Sequence, residues 1–271
     1  LQDIGFIEKQ LPVAFDKKTD IKLPSGSFFS PNPSAAKGDL AFVYPGSATS
    51  YEGLGHDLFQ FFPNLLSDFE NKIPNLKEFF GLNYLFPKKQ DRATASPNIQ
   101  NDAISMMSTG VLYSTLYTHI LRAYFGVKPK AAMGYSMGEC SSMWYSFGIW
   151  NPGEGTKIFR NSPIFKNKFS GNLELLAEEW NISTKEAKAR WQSWILLDTR
   201  EKVEAHISKF DKVFITFVNS EKELIISGDK SQCEMLIKAL NCASVLVPFQ
   251  NVIHNEFCKK EYDGLIEMHN F

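Results

Sequence analysis

Residues 131–142 read AAMGYSMGECSS, and the fold turns on how this stretch is taken. AAMGYS (131–136) is a short apolar run that leads straight into a serine. GECSSMWYSFGIW (138–150), immediately after it, has the spacing of a helix packed back on that run. Ser136 stands between Gly134 and Gly138, so a strand, a tight turn and a helix are expected around one hydroxyl. A serine hydroxyl is a poor nucleophile until a base takes its proton and hydrogen-bond donors hold the oxyanion. The G-x-S-x-G elbow meets part of that need. Its glycines let strand and helix approach closely, and the next backbone N–H, that of Met137, points at the oxyanion with the helix dipole behind it. The alternative is an ordinary serine in a glycine-containing turn. The bare pattern arises by chance roughly 0.1 times in a chain this long, so the strand and helix around it carry the argument.

Working outward, AFVYPG (41–46) reads as a buried strand ending in a turn. Residues 53–70 and 101–125 have helical spacing, the second closed by Gly126 with Pro129 beyond. From Trp194 the pattern changes. WILLDT (194–199) is a strand, REKVEAHISKF (200–210) a helix, and KVFITFVNS (212–220) with ELIISGD (223–229) a strand pair. KSQCEMLIKAL (230–240) is a helix and ASVLVPF (243–249) a strand. That order, β-α-β-β-α-β, is ferredoxin-like. The expected fold is α/β: a body over 39–192 and 250–271 carrying a small subdomain over 193–249. Residues 1–38, with PSGSFFSPNPSAAKG, read as a lead-in or interdomain linker.

A chain of 271 residues, 44% hydrophobic and rich in phenylalanine, has ample material for a core. A net charge of −1 without a long run of like charge gives no nucleic-acid or anionic-membrane surface. Cys140, Cys233, Cys242 and Cys258 are scattered without metal-ligand spacing and read as free thiols in a reducing compartment. No apolar run approaches 18 residues, and the start lacks the basic and apolar regions of a signal peptide. A soluble cytoplasmic protein is expected. For a base there are five histidines: His56 after a glycine-rich loop, His119 within a long helix, His206 in the small subdomain, His254 and His269. His254, in VPFQNVIHNEF, lies where the chain returns from the last small strand to the body, a place where catalytic groups tend to sit.

Three separated stretches match one family in order. AFVYPGSATSYEGLG resembles the FxFPGQGSQxxGMG opening of the malonyl/acyl-transferase domains of fatty-acid and polyketide synthases. GYSMGE resembles their GHSxGE elbow, and VNSEKELIISGD with VPFQNVIH resembles their VNxPxxxVISGD and PVSHAFH segments. The resemblance runs from about residue 40 to 258, and the wording is most similar to the acyltransferase domain of bacterial polyunsaturated (omega-3) fatty-acid synthase. It implies an α/β-hydrolase-like body with a ferredoxin-like insert. Ser136 would attack an acyl thioester, and His254 would serve as base and then acid. The backbone N–H groups of Met137 and Ser47 would form the oxyanion hole. The acyl group would pass from CoA or acyl carrier protein to a phosphopantetheine thiol, beside ketosynthase-like neighbours. No tightly bound cofactor or metal is implied.

The departures bear on substrate. Tyr135 stands where the family has histidine, and Asn101, in NDAI, where a pocket glutamine is usual. Malonyl-specific members carry an arginine about 25 residues after the serine that pairs with the substrate carboxylate through two hydrogen bonds. Ungapped alignment puts Ser162 there, with Arg160 two positions away. The expected substrate therefore lacks a free carboxylate. The selector tetrapeptide, HAFH or YASH in relatives, is here NVIH, beginning at Asn251. The family pattern continues some tens of residues further and supplies a backbone acceptor that orients the histidine. This sequence ends at Phe271, so either it is cut short or that support comes from elsewhere. Two rival readings stand beside acyl transfer. A thioesterase or serine hydrolase would need an acid such as Asp198, Asp211 or Asp229. A degenerate docking domain would need no chemistry at all.

Overall fold

The computed structural model describes residues 2–23, 26, 28–33, 38–47, 49–70, 99, 102–150, 152–248 and 250–269. Gln2–Lys17 is a helix that continues through Pro12, and β1 (Ile21–Lys22) then pairs antiparallel with β2 (Phe28–Phe29). Phe15 packs on Phe29 with ring centroids 5.0 Å apart. The segment expected to be a lead-in thus begins with regular structure. Its Pro, Ser and Gly crowd into 24–38, whereas Ile4, Ile7, Leu11 and Phe15 recur at helical spacing.

β3 (Ala41–Tyr44) and β4 (Ala131–Gly134) run parallel, in register from Ala41 opposite Ala131 to Tyr44 opposite Gly134. A parallel pair needs a crossover, and here it contains the helix Ala103–His119. Asp102 starts that helix by accepting from the Ser105 N–H at 3.1 Å. Ser105, Ser108, Thr109 and Gly110 are all buried, and their small size lets the helix run through the interior. Its Leu112 and Leu116 pack with Leu65 and Phe69. It passes into a π-helical turn, Ile120–Tyr124, and Gly126 then turns the chain at φ +65°.

The helices Pro152–Asn161, Glu174–Trp180 and Thr184–Arg190 and the π-helical segment Ile164–Phe169 follow. A capping box between Ser183 and Glu186 opens the last helix of that run. A core centred on Phe169, Leu175, Leu176 and Trp191 joins this region to Val252 and Phe257. β5 (Trp191–Leu197), the helix Arg200–Ile207, β6 (Val213–Ser220), β7 (Glu223–Asp229), the helix Lys230–Leu240 and β8 (Ala243–Leu246) complete a β-α-β-β-α-β unit. Its strands lie in the order β6-β7-β5-β8, each neighbour antiparallel. Leu196, Val203, Leu224, Ile226 and Leu236 fill the space between sheet and helices. β5 starts at Trp191 rather than Trp194, because Trp191 to Ser193 already pair with Asp229 to Ser227. β8 stops at Leu246, short of Pro248, whose missing N–H cannot extend a ladder. Among the described residues no helix is long and apolar enough to cross a membrane.

Candidate active site

The ladder between β3 and β4 extends one step, with the Tyr135 N–H donating to the Tyr44 carbonyl at 3.0 Å. The chain then reverses sharply. Ser136 takes φ +51°, a left-handed backbone that a side chain with a Cβ rarely adopts. A π-helical turn, Gly138–Ser142, begins two residues on and leads into Met143–Ser146. The Ser136 carbonyl accepts from the N–H groups of Glu139 and Cys140, both at 2.9 Å, so the turn is tied back onto the serine. Trp144 Nε1 donates to the Glu139 carbonyl at 2.7 Å and braces the same turn.

Both glycines are required by close approach. A Cβ on Gly134 would stand 2.1 Å from the Glu139 nitrogen, and one on Gly138 2.2 Å from the Tyr44 oxygen. Those obstacles are backbone atoms and cannot rotate away. Gly138→Ala is therefore expected to destabilise the protein by about 3 kcal/mol, the upper range for overpacking. Thermal unfolding followed by circular dichroism should show Tm falling by roughly 10 °C. A fall under about 2 °C would mean that the elbow is looser than this packing.

His254 meets the serine. Its Nε2 lies 3.0 Å from Ser136 Oγ, across 118 residues of sequence. The loop that carries it is pinned at several points. Trp191 Nε1 donates to the Asn251 carbonyl at 2.7 Å, the Val252 N–H donates to the Phe169 carbonyl at 2.9 Å, and the Val252 side chain is fully buried. Gln250 Nε2 donates to the carbonyls of Lys188 and Trp191. His254 itself has φ +66°. Lys18, Asn181 and Asn241, which also have positive φ, close helices, where such a conformation is routine, and Leu173, at φ +52°, precedes the helix Glu174–Trp180. The bonded pair Ser136 and His254 has no such excuse, and strained backbone of this kind concentrates at functional sites. His254 is exposed by surface area, yet the packing around its ring removes enough water to hold its pKa below the ordinary value. The shift favours the neutral ring, the form able to accept a proton.

The other histidines are engaged elsewhere. His56 reaches Asp57, His119 lies near Asp68 and Phe69, His206 bonds the Lys202 carbonyl and His269 the Leu265 carbonyl. The three aspartates are likewise built into the small unit. Asp198 takes the Lys202 ammonium and the Thr199 N–H, Asp211 takes Gln232, and Asp229 takes Arg190 while capping the helix Lys230–Leu240.

Met137 opens the elbow helix, its side chain buried against Gly110. Ser47 is half-buried in the loop after β3, beyond Gly46, which lies under the Tyr135 ring. Asn101 lies outside the described residues. Ser162 is buried, donating its hydroxyl to the Met268 sulfur at 3.0 Å and accepting from the Ile164 N–H at 3.2 Å. Arg160 is half-buried on the helix Pro152–Asn161. Asn251 uses its side-chain oxygen to accept from the Ile253 N–H at 3.2 Å, which shapes the histidine loop. Tyr135 reaches across to β6, donating to Asn219 Oδ1 at 2.9 Å and stacking on Phe217 at 5.1 Å. Phe217 in turn packs against the His254 ring at 4.2 Å. Asn219 stands within the motif VNSEKELIISGD, yet the sequence gives it no part, and nothing in the sequence singles out Phe217. Among the described residues, no group of three or more His, Cys, Asp or Glu could hold a metal ion.

No protein-family model matches the chain. A polyunsaturated fatty acid synthase polypeptide of Thraustochytrium sp. is 26% identical over 255 residues, covering 91% of this chain and 12% of that protein. Probable polyketide synthase 40 of Dictyostelium discoideum is 22% identical over 219 residues, covering 81% of this chain and 8% of that one. This chain therefore spans only a small part of the curated relatives it matches. Among solved structures, the acyltransferase domain from the second module of the salinomycin polyketide synthase superposes with a TM-score of 0.64 at 15% identity, over 97% of this chain and 55% of that one. The malonyl CoA-acyl carrier protein transacylase of Coxiella burnetii gives 0.62 at 15% identity, over 85% and 67%. A type II polyketide synthase acyl-carrier protein in complex with its malonyl-transacylase gives 0.61, also at 15% identity, over 84% and 68%. The chain thus has the mixed helix-and-sheet fold of acyltransferase domains, and the resemblance carried by its motifs is borne out.

Proposed function

We propose that this chain is an acyltransferase domain of a polyunsaturated fatty-acid or polyketide synthase system, carrying an acyl group on Ser136 between two thiols. The observation that carries the reading is the 3.0 Å contact between Ser136 Oγ and His254 Nε2 at a left-handed elbow. The architecture we assign is an α/β-hydrolase-like body with a ferredoxin-like insert. The parallel β3–β4 pair feeding the elbow supports the first part, and the antiparallel order β6-β7-β5-β8 the second.

In the first half-reaction His254 Nε2 takes the Ser136 proton as Oγ bonds the thioester carbonyl carbon. The backbone N–H groups of Met137 and Ser47 hold the oxyanion. The C–S bond then breaks, and the imidazolium returns its proton to the departing thiolate. The second half runs in reverse: a phosphopantetheine thiol gives its proton to His254, its sulfur bonds the acyl carbon, and Ser136 leaves reprotonated. The donor is acyl-CoA or an acylated carrier protein, the acceptor a carrier protein beside ketosynthase-like domains, and no bound cofactor takes part. Free thiols at Cys140, Cys233, Cys242 and Cys258 fit a reducing compartment, the cytoplasm. Hydrolytic release is the weaker reading, since the aspartates it would need are engaged within the small unit.

The substrate we assign lacks a free carboxylate. Ser162, at the position aligned with the carboxylate-binding arginine, is a buried hydroxyl bonded to Met268, which offers no cation to a malonyl group. Arg160, Tyr135, Asn101 and Asn251 are the other pocket residues of this proposal. The test is intact-mass spectrometry of the full chain after exposure to acetyl-, octanoyl-, palmitoyl- and malonyl-CoA. An acyl ester is expected from at least one of the first three, formed at least about tenfold faster than from malonyl-CoA, since a bidentate charge-assisted pair is missing. Preferential malonyl loading would overturn the substrate assignment, and no adduct from any donor would overturn the function.

A further inference from the structure

β6 is not a regular strand. Phe214 lies opposite Ser227 and Ile215 opposite Ile226, but the next paired residue, Phe217, lies opposite Ile225, and Thr216 is left over as a bulge. On a regular strand residues two apart share a face, so Phe217 would follow Ile215 into the core between sheet and helices, where Ile215 packs with Leu224 and Ile226. The extra residue changes that. Directly opposite residues point to the same side of a sheet, and Ile225 alternates with Leu224 and Ile226, so the bulge delivers Phe217 to the other face. Thr216 fixes the bulge, its hydroxyl donating to the Ile225 carbonyl at 3.2 Å and lying 3.2 Å from the Ser227 hydroxyl. Bulges that re-aim a side chain are over-represented next to active sites.

The face to which Phe217 is turned holds the reacting pair. Its ring meets the His254 imidazole edge-on, with centroids 4.2 Å apart and planes inclined by 60°. On its other side the Tyr135 ring stacks at 5.1 Å, inclined by only 27°. Tyr135 is held in place by Gly46 beneath it and by the hydrogen bond to Asn219, whose amide donates to Glu223 at 2.9 Å. The neighbour of the nucleophile and the base are thus joined through one ring supplied by the small sheet.

We infer that Phe217 is a positioning residue, aimed by the β6 bulge and backed by Tyr135, that fixes the orientation of the His254 imidazole and shields it from water. The inference rests on the reading of Ser136 and His254 as the reacting pair. A base within hydrogen-bond reach of its serine still has to be turned correctly, and a group must hold it there. Here the holding contact is apolar, so its removal changes solvation as well as angle. The titratable groups around the imidazole fit this. Cys258 donates its thiol to the Val252 carbonyl. The Tyr135 phenol is pushed up by burial and then by Glu223, so it stays protonated as a donor. The depressed His254 value is attributed to lost solvation alone.

The experiment compares Phe217→Leu and Phe217→Tyr with the unaltered full chain, after matching Tm. Two readouts are needed: the rate of Ser136 acylation against pH, and an NMR titration of the His254 ring. In Phe217→Leu, acylation should slow about tenfold, within the range known for small misplacements of reacting groups. Its acid limb and the imidazole titration should both move up toward the ordinary value near 6.5. Phe217→Tyr keeps a ring and should recover most of the rate and the depressed titration. A folded Phe217→Leu with unchanged acid limb and titration would overturn the inference. If no donor acylates the unaltered chain, the functional reading fails, while the NMR titration, which needs no donor, still decides what Phe217 does.

Discussion

Ser136→Ala should abolish the covalent acyl adduct while leaving the protein folded. The thioester carbon can form its new bond only to Ser136 Oγ if that oxygen is the acyl carrier, so the loss is complete rather than partial. The elbow does not depend on the hydroxyl: its ties run through the Ser136 carbonyl and the neighbouring glycines. A companion variant separates chemistry from stability. The φ of +51° at Ser136 costs a residue with a Cβ about 1–2 kcal/mol. Ser136→Gly should therefore lose the adduct equally and raise stability by about 1 kcal/mol, read as the midpoint of urea unfolding. A site kept strained for its function is expected to behave in this way. An adduct that survives in either variant, located by peptide mapping on another residue, would remove Ser136 from the mechanism.

The legibility of this site in the sequence follows from how local each requirement is. The elbow is local. Two glycines, a serine and the apolar run before them suffice, and the structure shows why, since a Cβ on either glycine would run into backbone. His254 is 118 residues away, legible only through its place after the last small strand and the family wording around it. The contacts that bring it home, from Trp191 and Gln250, are long-range and leave no pattern in a window of sequence. Phe217 shows the limit. Alternation along KVFITFVNS groups Phe217 with Ile215, and only the inserted pairing at Thr216 reverses that assignment. Tyr135 is visible as a departure from the family wording, but its partners on β6 are not. The helix Gln2–Lys17 is obscured for a simpler reason, the breaker-rich composition that follows it.

The second large effect is expected at His254. His254→Ala should slow acylation of Ser136 by about 10²–10⁴, the range for loss of a positioned general base, without preventing it entirely. Slow acylation persists because the oxyanion donors and substrate binding remain when one member of the pair is lost. The pH dependence gives the sharper test. A base works while neutral, and lost solvation holds the His254 imidazole below its ordinary value, so the acid limb of the unaltered chain should have its midpoint below about pH 6.5. An unburied histidine would lose half its activity near pH 6.5, so the sign of the displacement is diagnostic. In His254→Ala this limb should vanish. Adding free imidazole should restore part of the rate, because the substitution opens a ring-sized space between Phe217 and Ser136 Oγ. Rescue should follow the fraction of imidazole that is neutral. Unchanged acylation in His254→Ala, or an acid limb that persists without the imidazole, would assign the proton transfer to a different group and leave the 3.0 Å contact as structural only.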